Sequence, residues 1–180
     1  MLKRVRLKNG RESVVRRFTA KDKEKVVEMF ASMSKKALEW AMPPYTKDRL
    51  ERGWWSRIQH LIALVAEYRN RIVGYAQIFK HPNPRHRGIG ELLIYLHQDF
   101  HNVGLGTAMN EYLIELAKKE RLHRIGLSVV ADNKIAIHMY EKLGFKIEGI
   151  CKDAYFGDDG KYHDMGYMGL ILTHQDAIEA

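Results

Sequence analysis

Apolar residues recur along the chain at spacings that predict short strands alternating with helices. Residues 1–12 form either a loose or a strand-forming arm, and Ser13 to Phe18 predicts the first regular strand. Thr19 then caps a helix, because Asp22 stands three residues later as in a capping box. The apolar face of this helix carries Val26, Phe30, Met33 and Ala37.

Large side chains gather around the start of a second predicted helix. Pro43 and Pro44 end the first helical segment, and Thr46 begins the second. The apolar face of the second helix carries Leu50, Trp54, Ile58 and Leu61. The aromatic and sulfur-containing side chains of this region are Trp40, Met42, Tyr45 and Trp55. Core packing is the commoner role for such a cluster, but beside an active site it would form an acceptor pocket.

The middle of the chain predicts three strands and a crossover. Leu61 to Glu67 and Ile72 to Lys80 form a hairpin around a short polar turn. A third strand, Glu91 to His97, leads through a glycine-containing loop into a helix that continues to about Glu120. Ile125 to Val130 predicts another strand. The succession of strand, helix and strand predicts a right-handed parallel crossover.

The last third predicts one more helix and a closing hairpin. Asp132 is placed to cap a helix from Asn133 to Lys142, which stops at Gly144. Strands from Phe145 to Tyr155 and from Tyr162 to Leu172 then flank a glycine-rich and aspartate-rich turn. The whole order predicts an α/β (α+β) fold. Its sheet is mixed, mostly antiparallel and twisted, flanked by helices, with one parallel strand-helix-strand crossover.

The chain is basic, with 30 lysines and arginines against 22 acidic residues and a net charge of +8. Such an excess fits nucleic acid, an anionic cofactor or an acidic acceptor. The charge is dispersed, and the densest basic segment, at the N-terminus, has no interleaved aromatics and no DNA-reading motif. We therefore expect a solvated basic arm and no nucleic-acid partner.

Cysteine content and hydropathy bear on the compartment. Cys151 is the only cysteine, so no disulfide forms within the chain. The first residues lack the apolar stretch of a signal peptide, and the longest apolar runs are far below the roughly 20 residues that span a bilayer. We expect a cytoplasmic protein without a membrane partner. It would be a single domain over residues 1–180, with a basic arm at 1–12 and a tail at 173–180.

The loop after the third strand predicts a phosphate-binding site. A helix beginning there leaves its first backbone N–H groups without partners, at the positive end of the helix dipole. Gly104 and Gly106 remove Cβ atoms that would keep an anion from the backbone, and Thr107 adds a hydroxyl. The predicted pyrophosphate cradle comprises Asn102, Val103, Gly104, Leu105, Gly106 and Thr107. On these residues alone, a tight turn without a ligand remains an alternative.

A second glycine-containing string competes with this loop. Arg85 to Gly90 fits the pattern Arg-x-x-Gly-x-Gly more literally. It follows a turn-rich linker and precedes a predicted strand, so no helix dipole would face a phosphate there. We therefore place the phosphate site at 102–107.

Two stretches together form a specific pattern. The first is the strand, loop and helix at 91–116, and the second is ADNKIAIHMYEKLGF at 131–145. With them the chain resembles the GNAT superfamily of acetyl-CoA-dependent N-acetyltransferases over roughly residues 13–172. A weaker match at 149–168 is similar to the last hairpin of members that modify small amines or protein N-termini. His101 departs from the family, whose loop usually opens with Gln or Arg, and its role is left open.

The resemblance implies acetyl-CoA as co-substrate, with its pyrophosphate on the N–H groups of Asn102 to Thr107. Pantetheine would run between the strand ending near His97 and the strand near Ser128. The backbone at Leu96 and His97 would pair with the pantetheine amides and polarise the thioester carbonyl. Asn133 would bond the pantetheine arm.

Tyr140 and Glu91 are the implied catalytic residues. The Tyr140 hydroxyl would protonate the departing thiolate, although a tyrosine in an amphipathic helix also packs without a catalytic role. Glu91 would accept the proton of the acceptor amine, either as a carboxylate whose pKa is raised by partial burial or by acting through a water. A structural salt bridge from Glu91 to Arg85 or Arg87 is an equally good prediction.

Other chemistries are disfavoured. A nucleophilic Cys151 is unnecessary, because the family transfers the acetyl group directly, and a lone cysteine in a strand is usually a small packed side chain. The histidine pairs, His97 with His101 and His81 with His86, lie on no predicted helix, so we expect no metal.

The predicted function is acetyl transfer from acetyl-CoA to a primary amine, either of a small molecule or of a protein N-terminus. The acceptor would be chosen by residues 38–57 and the last hairpin, and a homodimer is possible by resemblance. The alternative is a basic module that senses acyl-CoA or binds nucleic acid without turnover. Tyr140 favours the enzyme, because a sensor needs no acid at the sulfur.

Overall fold

Residues 2–172 are described by a computed structural model, in which eight strands form one sheet flanked by four α-helices. The strands are β1 (Leu2–Arg6), β2 (Glu12–Arg17), β3 (Leu61–Tyr68), β4 (Arg71–Lys80), β5 (Ile89–Leu96), β6 (Arg124–Val130), β7 (Lys146–Phe156) and β8 (Tyr162–Ile171). The helices are α1 (Lys23–Ala31), α2 (Lys47–Arg52), α3 (Leu105–Lys119) and α4 (Lys134–Lys142).

The strand order is β1-β2-β3-β4-β5-β6-β8-β7, and every neighbouring pair is antiparallel except β5 and β6. The β5-α3-β6 connection is the predicted parallel crossover. This arrangement confirms the predicted mixed sheet. The predicted tail, 173–180, lies outside the described residues.

Two apolar layers cover the two faces of the central strands. β3 and β4 are buried along most of their length, as their near-continuous apolar runs require. On one face α3 and α4 pack around Leu105, Met109 and Leu113, all with 0% exposure. On the other face α1 and α2 pack around aromatic side chains, including Tyr75 and Trp55. The site therefore lies on a sheet that is held from both sides.

Both helices before β3 are shorter than their apolar spacing predicts. α1 ends at Ala31, and Ala37 lies in a separate turn of 3-10 helix. α2 ends at Arg52, because Gly53 leaves the helical region at φ −90° and ψ −91°. Leu61 opens β3 instead of continuing the helix. The prediction of one helix through Leu61 was wrong, since a glycine inside the pattern ends it.

The N-terminal arm is an ordered strand rather than a solvated segment. β1 pairs antiparallel with β2 along its whole length. Leu7, just beyond β1, is 3% exposed in the core, and Lys3 is ion-paired with Glu115 of α3. Of the two predicted forms of the arm, the strand-forming one is confirmed. Lys3 and Val5 form its half-buried side, and the alternate residues Leu2, Arg4 and Arg6 are exposed.

The cap of α4 is one residue later than predicted. Asn133 is the N-cap, and its side-chain oxygen accepts from the N–H of Ala136 at 3.2 Å. Asp132, the predicted cap, lies 2.7 Å from Nδ1 of His163 in β8. The carboxylate of Asp132 thus contacts His163, a residue distant in sequence, instead of capping the helix. The helix stops before Gly144, whose φ of +93° confirms the predicted left-handed end.

The parallel strands β5 and β6 separate after a short pairing. Their register covers three pairs, from Ile89 with Arg124 to Glu91 with Gly126. β5 continues to Leu96 and β6 to Val130. The two strands therefore open a gap toward their carboxyl ends, and the loop before α3 lies at that end of β5.

Candidate active site

The gap between β5 and β6 belongs to a cleft of about 1610 Å³. Leu92 to Leu96 of β5 line one wall and Leu127 to Val130 of β6 line the other. The cleft reaches the loop before α3 and, across the sheet, the segment between α1 and α2. It joins the glycine-containing loop before α3 at one end to aromatic side chains at the other.

The pairing of β5 with β4 shows which backbone N–H and C=O groups of β5 face the gap. The N–H of His97 donates to Val73 at 2.9 Å, and the N–H of His81 donates to Ile89 O at 3.3 Å. Odd-numbered residues of β5 therefore direct their backbone groups to β4, because hydrogen-bonded pairs alternate along an antiparallel ladder. Ile94 and Leu96 direct their N–H groups into the gap. The direction of the Leu96 N–H is the one that the predicted pantetheine contact needs, and Ile94, which the sequence did not indicate, has the same direction.

His97 does not contribute backbone groups to the cleft. Its N–H is bonded to Val73, and its carbonyl accepts from the N–H of Phe100 at 2.9 Å. The imidazole is 6% exposed, and its Nδ1 lies 3.3 Å from the N–H of Asp99. His97 is thus turned away from the gap. The sequence pattern located the end of the strand. It could not show which residues direct their N–H groups to β4 and which to the gap, because the pairing with β4 determines this.

The loop before α3 has the properties of an anion cradle. Within the described chain, the N–H groups of residues 102–107 have no acceptor, and the first bond that closes the helix is Ala108 N–H to Gly104 O at 3.2 Å. Gly104 has φ +90°, a conformation that favours glycine. Asn102, Gly104, Gly106 and Thr107 line the cleft, whereas the side chains of Val103 and Leu105 pack into the core. The two core side chains hold the loop in place.

His101 turns its side chain back onto β5. Nε2 of His101 lies 2.8 Å from the carbonyl oxygen of Leu96. The imidazole therefore satisfies the last carbonyl of the strand that faces the gap, and it supports the loop from within. This contact gives a structural role to the residue that departs from the family pattern.

Lys8 is a cleft residue that the sequence did not indicate. It lies in the turn between β1 and β2, and its side chain lines the cleft beside the loop before α3. Its backbone N–H donates to the carbonyl oxygen of Val103 at 3.0 Å. No local pattern could identify this contact, because Lys8 and Val103 are far apart in sequence.

Asn133 and Tyr140, both associated with α4, line the cleft. The Asn133 oxygen caps the helix, which leaves its NH₂ group for a ligand. Tyr140 is 7% exposed, and its ring packs edge-on against Phe145 with 5.7 Å between centroids. Burial raises the pKa of the Tyr140 phenol, so the hydroxyl stays protonated at neutral pH. Among the described residues this hydroxyl has no hydrogen-bond partner, and it is free to donate into the cleft.

Glu91 lies on the opposite face of β5 from the α3 core and also lines the cleft. Its side chain is 65% exposed, and its carboxylate lies 3.3 Å from Nε2 of His81. A carboxylate with this exposure is not partly buried, so the first of the two predicted forms of the base was wrong. The expected partners Arg85 and Arg87 are replaced by His81.

Aromatic residues form the side of the cleft opposite the phosphate loop. Tyr45 accepts from the N–H of Met42 and donates to the hydroxyl of Tyr95, both at 2.8 Å. Trp54 stacks on Tyr95 with centroids 5.8 Å apart. Trp40, Met42 and Tyr45 line the cleft, whereas Trp55 is buried in the core. Core packing is therefore the role of Trp55. Trp40, Met42 and Tyr45 lie where an acceptor pocket would need them.

Two arginines line the aromatic side without acidic partners in the described part of the chain. The Arg57 guanidinium lies 5.9 Å from the ring centroid of Phe79, which is the cross-strand neighbour of Glu91. Arg49 donates to the carbonyl oxygen of Pro44 at 3.2 Å. Arg124, also in the cleft, is neutralised by Glu148 in a two-contact ion pair. Arg49 and Arg57 therefore leave positive charge in the cleft, and Arg57 lies beside the cross-strand neighbour of the candidate base.

The remaining candidates lie away from the cleft. Cys151 is exposed on the edge strand β7, so the prediction that it packs as a small core residue was wrong. Across residues 2–172 no group of three or more His, Cys, Asp or Glu side chains is placed to hold a metal ion. None of the helices in that range has the length and apolar character needed to cross a membrane.

The turn at Pro84–His86, within the competing glycine string, leads directly into β5. Apart from this single turn of 3-10 helix, residues 85–90 lead into a strand and not into an α-helix, which is the reason for which the string was rejected. The fold and the cleft together define a class of protein, the N-acetyltransferases that take the acetyl group from acetyl-CoA. The features that define it are two diverging parallel strands and a helix N-terminus with free N–H groups at their open end.

Comparison with known proteins gives the family. Residues 24–145 match the model of the acetyltransferase (GNAT) family, and the chain belongs to this family. L-amino acid N-acetyltransferase AaaT of Escherichia coli (strain K12) is 34% identical over 109 residues, which cover 60% of this chain and 67% of that protein. A ribosomal-protein-bS18 alanine N-acetyltransferase of the same strain is 37% identical over 75 residues, or 42% of this chain and 50% of that protein.

Solved structures share the fold over most of the chain. A GNAT-family acetyltransferase from Streptococcus pneumoniae has a TM-score of 0.74 at 27% identity, covering 88% of this chain and 99% of that one. YncA from Salmonella typhimurium, solved with acetyl-CoA, has a TM-score of 0.79 at 21% identity, covering 93% and 98%. The second likeness concerns the fold alone.

Proposed function

We propose that the protein transfers the acetyl group of acetyl-CoA directly to the primary amine of a small acceptor that also carries a carboxylate. The observation that carries this proposal is the cleft itself. It joins free backbone donors and a helix N-terminus at one end to Glu91 and two unpaired arginines at the other. Amine and carboxylate are the two groups that such an acceptor end would recognise.

Acetyl-CoA fits the donor end on structural grounds. The N–H groups of residues 102–107 suit its pyrophosphate, and Gly104 leaves the approach to them open. The N–H groups of Ile94 and Leu96 would bond the pantetheine arm and the thioester carbonyl, where negative charge grows during attack. The NH₂ group of Asn133 supplies a further donor. Acetyl-CoA itself supplies an acetyl group activated by a thiol leaving group.

Two residues carry out the proton transfers of the reaction. Glu91 accepts the proton that the acceptor ammonium must lose, directly or through a water. The nitrogen then bonds to the acetyl carbon, its second proton passes to solvent, and the carbon–sulfur bond breaks. Glu91 releases its own proton to solvent before the next turnover. Tyr140 donates a proton to the departing sulfur, and solvent returns that proton to the phenolate afterwards. The products are an amide and a free thiol, with no covalent enzyme species.

The acceptor class rests on the charges of the aromatic side. Arg57 and Arg49 have no carboxylate of their own chain, so a carboxylate of the acceptor would give them a partner. Tyr45, Trp54 and Tyr95 would contact an apolar or aromatic body between the two polar groups. The name of the relative AaaT, an L-amino acid N-acetyltransferase, agrees with this class. A polycationic amine would instead meet repulsion from the same arginines.

A thiol-release assay with acetyl-CoA tests the proposal. The acceptor panel pairs each amino acid with its amide, which keeps the amine and removes the carboxylate, and adds polyamines, aminoglycosides and short peptides. We expect turnover with amino acids and a rise of roughly 10-fold or more in KM for the amides. Thiol release with polyamines and none with amino acids would refute the acceptor class.

The variant Arg57→Gln tests whether Arg57 binds the carboxylate of the acceptor. It should raise KM for amino acids by roughly 10-fold and reduce the difference between amino acid and amide. Arg52→Gln is the matched control, because Arg52 is an exposed arginine that is paired with Asp48 and lies outside the cleft. An equal effect of both variants would show that general charge, not Arg57, governs acceptor binding.

A further inference from the structure

The turn between β1 and β2, residues 7–10, approaches the loop that would hold the coenzyme pyrophosphate. The N–H of Lys8 donates to Val103 O at 3.0 Å. A Cβ built on Gly104 would lie 3.9 Å from both Cγ and Cε of Lys8. The aliphatic part of Lys8 therefore passes directly beside the glycine at the centre of the cradle.

The position of this turn is fixed by several contacts. Leu7, the preceding residue, is 3% exposed in the core. Arg11, which follows the turn, donates to Asp99 O at 3.0 Å, and its guanidinium lies 4.7 Å from the ring centroid of Phe100. Gly10 adopts φ +81°, which allows the tight reversal. Lys8 is thus attached to a rigid backbone, and only its side chain needs to be ordered by a ligand.

The charge of Lys8 has no partner in the described part of the chain. Its side chain is exposed and lines the cleft. Nearby, the N–H groups of residues 102–107 also lack acceptors. An ammonium beside a cluster of unpaired N–H donors is an arrangement that a phosphate group satisfies as a whole.

His101, the first residue of the loop, is not placed to pair with a phosphate through Nε2. Nε2 of its imidazole lies 2.8 Å from the carbonyl oxygen of Leu96, so this nitrogen is engaged by β5 and not by the cradle. The turn at 7–10 also lies outside residues 24–145, the segment that matches the family model. The positive side chain of Lys8 therefore comes from a turn outside the segment that matches the family model.

We propose that Lys8 binds the pyrophosphate of the CoA moiety, so that the β1–β2 turn closes one side of the phosphate cradle. This inference rests on the proposed function, because it takes acetyl-CoA as the ligand. It adds a specific cation to a site otherwise built from backbone N–H groups. It also explains why β1 is anchored on the loop that precedes α3.

Calorimetric titration of the whole protein with acetyl-CoA tests this assignment. Lys8→Ala should weaken binding about 10-fold at low salt, and the loss should shrink at high salt as the phosphate charge is screened. Lys8→Arg should restore most of the affinity. Lys21→Ala, which removes an equal charge from an exposed site outside the cleft, should bind like the parent. Unchanged affinity in Lys8→Ala would overturn the proposal.

A second titration separates the phosphates of the ligand. Dephospho-CoA keeps the pyrophosphate and lacks the 3′-phosphate, so Lys8→Ala should lose the same factor with it. If the loss disappears with dephospho-CoA, the pyrophosphate assignment is wrong. A melting temperature equal to that of the parent shows that the variant is folded. If the parent itself does not bind acetyl-CoA, the proposed function fails, whereas binding by the parent with an unaffected Lys8→Ala refutes only the role of Lys8.

Discussion

Tyr140 combines two properties that an acid at the sulfur requires. Its ring is fixed by burial against Phe145, and its hydroxyl reaches the cleft without a partner among residues 2–172. Burial also raises the pKa of the phenol and keeps the proton in place until negative charge develops nearby. Removing the hydroxyl leaves no buried polar group unpaired, so the effect of this change should be confined to the chemistry.

Tyr140→Phe should lower turnover by roughly 10²-fold while the affinity for acetyl-CoA is nearly unchanged. Stopped-flow measurement of the chemical step and calorimetry of acetyl-CoA binding check the two parts. Tyr162→Phe is a suitable control, because Tyr162 is 66% exposed and lies outside the cleft. Parent-like turnover of Tyr140→Phe, with chemistry limiting the rate, would exclude the acid role.

Glu91→Gln preserves the shape of the side chain and removes the proton acceptor. An amine with a pKa near 10 is mostly protonated at about pH 7, so without a base the rate should follow the small fraction of free amine. We expect low activity near pH 7, partial recovery toward pH 9 to 10, and intact acetyl-CoA binding. The variant should fold normally, because the carboxylate is exposed and its partner is His81.

The pH profile of kcat/KM decides the role of Glu91. A profile that only scales down in parallel with that of the parent would make Glu91 a structural residue. His81→Gln, which keeps the carboxylate and removes its partner, should retain the shape of the parent profile. This control separates the function of the base from that of its ion pair.

The N–H directions along β5 show what residue spacing could not provide. The sequence identified the strand and predicted backbone contacts at Leu96 and His97, but the N–H of His97 belongs to the ladder with β4. Adjacent residues of a strand point to opposite neighbours, so an error of one residue reverses the assignment. Only the register with β4 determines which N–H groups face the gap.

At the scale of elements, the last hairpin is tied to the rest of the site through His163. Its Nδ1 lies 2.7 Å from Asp132, which precedes α4, and its Nε2 lies 3.0 Å from Asp159 in the turn between β7 and β8. The ring also contacts Trp40 edge-on, with 5.2 Å between centroids. The carboxylate of Asp132, followed by that of Asp159, raises the pKa of His163. Protonated imidazole donates to both carboxylates at once, whereas the neutral ring donates to only one.

This link predicts how stability depends on pH. Because the pKa of His163 is higher in the folded protein, the stabilisation is fully present below the unfolded pKa of about 6.5. It is lost as pH rises through the raised folded pKa. His163→Gln should remove this component, so its melting temperature should fall less than that of the parent between about pH 6 and pH 9. Parallel curves for the two proteins would contradict the link.

The elements themselves were largely predictable, and their ends were not. Strand β4 and helix α3 follow from continuous or periodic apolar residues, which act locally. The spacing of apolar residues did not reveal that α2 ends at Gly53 or that Asn133 is the cap of α4. At each place, another interaction or a glycine prevailed over the periodic pattern. At α4 the competitor was His163, a partner from another strand.

At the scale of the whole molecule, the site is assembled from segments that are distant in sequence. Lys8 meets Gly104, and Trp40 meets His163, although neither pair lies on neighbouring strands of the sheet. Periodicity carries no information on which distant segments meet, so the sequence predicted the phosphate loop but not the lysine beside it. The homodimer, the single-domain extent over residues 1–180 and the cytoplasmic location stay predictions.

The central claim is direct transfer of an acetyl group from acetyl-CoA to the amine of a carboxylate-bearing acceptor. The most direct measurement incubates the protein with acetyl-CoA labelled in the acetyl group and an amino acid, and it quantifies thiol and product by mass spectrometry. The account predicts one labelled acetyl group on the amine nitrogen for each thiol released, and no label on the protein. Thiol release without an acetylated amine, or label retained on the protein as an intermediate, would contradict it.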